Sequence, residues 1–197
     1  MEDKTKPDHL EIFTDNALML KVKAGDLDKL GLLFQRYGKS LYGFYFRMTR
    51  NAELSEDLVQ DVFERVLKYR HTFRGDGKFT TWLYHLARNV LADHLKKTKR
   101  AGISTDIDQK QDKLPDLSVP EEARQKEEHL QLMERALDQL SEEKRELLLL
   151  TKLQGLKYKD IATLHNCTET YVKVKVFRAV NDLREVFMKL QAKGINI

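Results

Sequence analysis

Residues 73–100, FRGDGKFTTWLYHLARNVLADHLKKTKR, hold the side chains most open to chemistry. They begin with a Gly-rich turn, Phe73-Arg74-Gly75-Asp76-Gly77-Lys78. Gly75 and Gly77 allow positive φ and close backbone approach. Arg74 and Lys78 add positive charge beside exposed amides. Such a loop can cradle a phosphate or clasp an extruded base. On the loop alone, a helix-to-helix connection that needs glycine is the first reading. The stretch ends on Lys96, Lys97, Lys99 and Arg100. Cations at a helix end complement the helix dipole. Four in five residues exceed what the dipole requires, so this end reads as a polyanion contact.

Two further faces carry charge. In NAELSEDLVQDVFERVLKYR, residues 51–70, Asp57, Gln60, Asp61 and Glu64 fall on one side of a helix. A divalent metal site there lacks a histidine or a second acidic helix to complete it. What remains is a solvated face or a docking face for a basic partner. Near the C-terminus, Tyr171, Lys173, Lys175 and Arg178 project from the first turns of a helix, with no acid between Glu169 and Asp182. Lysine and arginine there suit phosphates or guanine edges, and Tyr171 suits sugar or base. The plainer reading is a basic helix in a three-helix bundle. His165 and Cys167 flank one residue and have no further ligands, so they read as structural rather than as a zinc site.

Helices must position these groups. Phe79, Leu83, Leu86, Val90 and Leu95 form one buried stripe from Phe79 to about Lys97, with Trp82 beside it. His85, Arg88, Asn89, Ala92 and Lys96 fall on other faces. Leu54, Leu58, Val62, Val66 and Tyr69 line the inner side of the preceding helix, with Phe63 at its edge and Asn51 or Ser55 as cap. Upstream, Gly25 and Asp26 mark a break between two helices, with Asp26 a candidate N-cap. The second of these carries Leu30, Leu33, Phe34, Tyr37, Leu41, Phe44 and Tyr45, read as core.

The C-terminal third reads as helix-turn-helix grammar. Ser141 caps EEKRELLLLTKLQ, whose Leu147–Leu150 centre must be covered on more than one side, and Gly155 stops it. Tyr158 to Leu164 is a short helix, His165-Asn166-Cys167 a tight turn, and Thr168 the cap of a longer helix. Ala162 permits close crossing, and Val172, Val176, Ala179 and Leu183 face inward. This agreement of cap, turn, small residue and basic face favours DNA contact over a plain bundle.

Composition sets the outer limits. The chain has 197 residues, 34% of them charged, with net charge +4. That is compatible with nucleic acid without requiring it. One cysteine, Cys167, excludes an internal disulfide and suits a reducing cytoplasm. No hydrophobic signal core and no run of membrane-spanning length is present. Three prolines and nine glycines, with abundant Leu, Lys and Glu, point to an all-α protein. Residues 101–128, with Pro115 and Pro120 and scattered acids, read as a flexible acidic linker. The expected architecture is two small helical domains, 1–100 and 129–197, the second a helix-turn-helix domain.

SEDLVQDVFERVLKYRHTFRGDGKFTTWLYHLARNVLADHLKK resembles the second region of bacterial sigma factors. ALDQLSEEKRELLLLTKLQGLKYKDIATLHNCTETYVKVKVFRAVNDL resembles their fourth region. The short chain and acidic linker resemble the extracytoplasmic-function group. The resemblance covers roughly Leu27 to Arg100 and Leu130 to Leu190. It implies that Asp57, Gln60, Asp61, Phe63 and Arg65 dock on core RNA polymerase. It implies that Arg74, Gly75, Asp76 and Lys78 capture an extruded base of the single-stranded −10 element, with Asn89 nearby. Lys96, Lys97, Lys99 and Arg100 would follow DNA backbone. Tyr171, Lys173, Val174, Lys175 and Arg178 would read duplex −35 DNA. The linker would pass through the polymerase interior, and an anti-sigma factor is a possible further partner. No cofactor, metal or catalytic residue is implied.

The recognition helix departs from the common pattern. It opens Thr168-Glu169-Thr170-Tyr171 where many relatives carry a proline and then a Gly-Thr pair. Lys173 and Lys175 replace usual arginines, and lysine lacks the bidentate fork for guanine. The expected function is an alternative sigma factor, not an enzyme, acting in the cytoplasm without membrane insertion. The alternative is a stand-alone helix-turn-helix regulator, which would bind an operator tightly without polymerase. A metal-dependent nuclease on Asp57, Asp61 and Glu64, or an adaptor that binds polymerase but reads no promoter, are further rivals.

Overall fold

The protein is described here by a computed structural model that covers residues 13–100 and 121–194. Its described residues form helices and no strands. The N-terminal half contains α1 (Asp15–Lys23), α2 (Asp28–Thr49), α3 (Ala52–Tyr69), a short 3-10 turn (Arg70–Thr72) and α4 (Phe79–Arg100). The C-terminal half contains α5 (Glu121–Asp138), α6 (Glu142–Leu148), a π-helical turn (Leu149–Leu153), α7 (Tyr158–Leu164) and α8 (Glu169–Gly194). The all-α class expected from composition is what is seen.

Local chemistry explains most boundaries. Asn51 accepts from the Leu54 amide at 2.9 Å and caps α3, while Ser55 is buried one turn inside the helix. Thr14 caps α1. Asp26 does not cap α2; the capping position is Leu27, which makes no side-chain cap bond. α7 ends in a Schellman motif. Asn166 sits at φ 50°, the Cys167 amide reaches Ala162 O at 2.9 Å, and the Asn166 amide reaches Thr163 O at 3.3 Å. Thr168 Oγ1 then accepts from the Tyr171 amide at 3.2 Å and opens α8. Ser141 holds the cap position of α6 but makes no side-chain cap bond. The linker expected at 101–128 lies outside the described residues as far as 120, and α5 already begins at Glu121.

Packing explains the rest. Phe79, Leu83, Leu86 and Val90 of α4 are buried against α3 and α2, with Trp82 edge-on to Phe73 at 5.4 Å. A second apolar stripe of α4, Tyr84, Ala87 and Leu91, is buried as well. One core cluster therefore runs from Leu18 and Phe44 through α4 to Leu149, Leu150, Ile161 and Val176. Leu148 turns the other way, to Leu137, Leu140 and Ala179. The four consecutive leucines are all buried, and the wider π turn distributes them over two packing faces.

Polar pairs line the same seam. Arg88 Nε donates to Glu146 at 2.6 Å and Arg88 Nη1 to Leu164 O at 2.8 Å. Tyr84 donates to Gln154 Oε1 at 2.5 Å, and Ser40 bonds the same oxygen. Arg47 and Arg50, at the end of α2, pair with Glu134 and Asp138, one turn apart on α5. Arg145 is buried and donates to Leu137 O, Asp138 O and Leu140 O, and to Arg47 O across the seam. Its guanidinium thereby satisfies the orphan carbonyls at the end of α5.

Candidate polymerase and promoter surfaces

Three surfaces carry the residues singled out by sequence. On α3, Asp57, Gln60, Asp61 and Glu64 are exposed. Among the described residues, none of the three acids has an ion pair. They line a shallow groove with Leu54, Leu58 and His94 of α4. No group of three His, Cys, Asp or Glu side chains in the described residues is placed to hold a metal. Phe63 does not belong to this exposed face. It is 6% exposed and packs on Phe34 at 4.9 Å, because its position points under α2. Phe34 is the more accessible ring of that pair, at 47%. Arg65 is half-buried and bonds Asp93 of α4 at 2.8 Å. That hydrogen bond, with Lys96 and Lys97 nearby, holds the Asp93 carboxyl below the usual carboxylate range.

The second surface is the 73–79 loop and α4. Phe73 and Phe79 are buried anchors, while Arg74, Asp76 and Lys78 are exposed between them. Gly75 needs to be glycine. Its φ is +82°, and a Cβ there would lie 3.3 Å from Leu20 Cδ2. Gly77 has neither property, so one of the two glycines expected to be structural is so. Asn89 is exposed on α4, with Nδ2 3.4 Å from His85 Nδ1. Lys96, Lys97, Lys99 and Arg100 are all exposed, and no ion pair among the described residues neutralises them.

The third surface is α8. Val172, Val176 and Ala179 are buried, as the stripe predicts. Tyr171, Lys173, Val174 and Arg178 are exposed. The cations are not equivalent. Lys173 pairs along the helix with Glu169 at 2.9 Å. Lys175 reaches back to Glu143 at 3.0 Å and lies over the Tyr171 ring at 5.2 Å. The hydrogen bond to Glu143 raises its pKa. Arg178 has no ion pair among the described residues. Sequence reasoning passed over Phe177, which is 67% exposed beside Val174 and Arg178. An exposed phenylalanine amid lysines is the signal that marks it.

Comparison with known proteins places the chain in a family. The sigma-70 region 2 family matches residues 33–101, and the sigma-70 region 4 family matches residues 130–183. RNA polymerase sigma-H factor of Pseudomonas aeruginosa is 31% identical over 172 residues, covering 84% of this chain and 89% of that protein. ECF RNA polymerase sigma-E factor of Escherichia coli K12 is 31% identical over 176 residues, covering 86% and 92%. The chain belongs to the sigma-70 family, in its extracytoplasmic-function (ECF) group. The fold is shared with CnrH, solved with the cytosolic domain of CnrY, at a TM-score of 0.65 and 19% identity, over 89% of this chain and 97% of that one. It is also shared with the sigma factor RpoE of Bartonella quintana, solved with the anti-sigma factor NepR, at 0.64 and 23%, over 80% and 96%.

Proposed function

We propose a division of labour among the three surfaces for an alternative sigma factor that directs transcription initiation. α3 docks on core RNA polymerase through Asp57, Gln60 and Asp61, with Phe34 taking the role that the family resemblance implies for Phe63. Loop residues Arg74, Gly75, Asp76 and Lys78, with Asn89, hold an extruded base of the −10 strand. Unstacking that base costs a few kcal/mol, about what enclosure and hydrogen bonds return. Lys96, Lys97, Lys99 and Arg100 follow the backbone. α8 enters the −35 major groove with Tyr171, Lys173, Val174, Lys175 and Arg178. Phe177 adds an apolar tip suited to a thymine methyl.

The observation that carries this reading is the separation of unpaired charge. Among the described residues, Asp57, Asp61 and Glu64 make no ion pair on α3, and Lys96, Lys97, Lys99 and Arg100 make none at the end of α4. One helical domain thus presents an acid face to a partner protein and a basic edge to nucleic acid. The chain itself catalyses no reaction in this reading; the polymerase does. It acts in the cytoplasm, and no described helix is long and apolar enough to cross a membrane. The two like-folded structures each hold a bound partner chain, which extends the reading to an anti-sigma factor.

Run-off transcription on fragmented genomic DNA tests it. Core polymerase with the chain yields discrete transcripts absent with core alone. Core binding without new transcripts would leave only an adaptor, and no core binding would overturn the reading.

A further inference from the structure

α1 lies before the segment matched by the region 2 family, yet it holds the 73–79 loop in place. Asn16 Nδ2 donates to Gly77 O at 2.7 Å and to Gly75 O at 3.2 Å. Its Oδ1 accepts the Phe79 amide at 2.8 Å. Lys23 Nζ donates to Phe73 O at 2.6 Å. The amide orientation is decided by these groups. Two carbonyls need donors and one N–H needs an acceptor, so only one rotamer of the amide satisfies all three.

The consequences for the loop are geometric. The carbonyls of residues 73, 75 and 77 all bond to side chains of α1. The side chains at the alternate positions, Arg74, Asp76 and Lys78, are the ones left exposed. Asn16 also supplies a cap in trans to the first amide of α4, the helix that carries Asn89 about three turns further on. One side chain therefore sets both the loop backbone and the start of the helix beside it. Leu20 of the same helix packs on Gly75 and closes the gap a side chain there would fill.

We infer that Asn16, assisted by Lys23, is a positioning residue for −10 base discrimination. It touches no DNA; it holds the loop in the register that presents Arg74, Asp76 and Lys78 with Asn89. This rests on the loop being the −10 site. Asn16→Asp is the sharpest variant, since it keeps the acceptor for Phe79 and turns both carbonyl contacts repulsive.

The experiment uses holoenzyme assembled from core polymerase and the full chain. The probes are a pool of single-stranded DNA oligonucleotides randomised at central positions, a duplex pool of the same design, and core itself. Enrichment of the preferred base in the single-stranded pool is expected to fall by about tenfold in Asn16→Asp. Duplex selection and core affinity stay within about twofold of wild type, and Lys23→Gln gives a smaller loss of the same kind. Wild-type single-strand discrimination in Asn16→Asp overturns the proposal. A parallel loss of core binding overturns it as well, because Asn16 would then be merely structural. If Asp76→Ala and Asn89→Ala also leave discrimination intact, the loop is not the −10 site and the underlying reading fails instead.

Discussion

The Arg88 guanidinium and the Glu146 carboxylate, 58 residues apart, meet at 2.6 Å in the seam between the two helical halves. Both are mostly screened from water, at 25% and 13% side-chain exposure. Arg88 spends a second N–H on Leu164 O at 2.8 Å, the last residue of α7. Arg88→Met removes both bonds and leaves Glu146 with only the His165 imidazole, at 3.6 Å, beside it. The expected cost is about 2 kcal/mol, less than for a fully buried pair because water still reaches it. Urea denaturation of Arg88→Met, Glu146→Gln and the double variant measures it, with the double costing less than the sum.

The seam is also sensitive to acid. Burial, then the neighbouring Arg88, holds the His165 imidazole below its usual value of 6.5, while Glu146 and Glu143 act in the opposite sense. Folding therefore favours the neutral imidazole of His165. Well above pH 6.5 neither state binds the proton, and its contribution is flat. As pH falls through 6.5 the unfolded chain protonates first, so stability declines until the pH passes the lower folded pKa. His165→Gln should show a shallower decline in urea midpoint between about pH 7 and pH 5 than the wild type. An identical slope in the two proteins would count against the assignment.

Charge reversal on α3 separates docking from folding. Asp57 and Asp61 are exposed and make no ion pair among the described residues, so Asp57→Lys/Asp61→Lys should leave the melting temperature nearly unchanged. Core polymerase affinity should fall by about tenfold or more, with a weaker salt dependence. Fluorescence titration of core against labelled chain, alongside a thermal melt, tests both halves of the expectation.

The cations of α8 should differ in weight. Arg178 makes no ion pair among the described residues, whereas Lys175 is held by Glu143 and Lys173 by Glu169. Arg178→Ala should therefore weaken holoenzyme binding to duplex promoter more than Lys175→Ala. Removing one phosphate-binding cation lowers the salt slope by about one. Glu143→Gln releases Lys175 and should strengthen duplex binding. Binding isotherms over a salt series distinguish the three variants.

The helices were legible because their signals are local. Asn51, Thr168 and Asn166 mark ends through bonds to residues close by in the chain, and a stripe such as Leu58, Val62 and Val66 repeats within one helix. Asp57, Gln60 and Asp61 are exposed as their helical phase requires. The seam was not read, although Tyr84, Ala87 and Leu91 form a second apolar stripe on α4 that asks for a second cover. The helical phase of Arg88 points to an open face, because its partner Glu146 lies 58 residues away in the chain. Phe63 was placed at the edge of its helix, and only the position of α2 decides that it is covered. Asn16 has no periodic signature at all, since its partners are backbone groups some sixty residues away.

The seam also limits reach. The −35 and −10 elements are, by their positions, about 25 base pairs apart, or about 85 Å along B-form DNA. The longest described helix, α8, has 26 residues and measures about 39 Å. If the 73–79 loop and α8 read the two elements as proposed, the halves joined through Arg88–Glu146, Tyr84–Gln154 and Arg145–Arg47 would have to part to reach both on one promoter. The segment 101–120 is long enough in covalent terms to let them part by up to about 70 Å. The closed molecule is thus a ruler folded shut. In the proposed reading, its apparent affinity for a two-part promoter would scale with the fraction of molecules in which the seam is open.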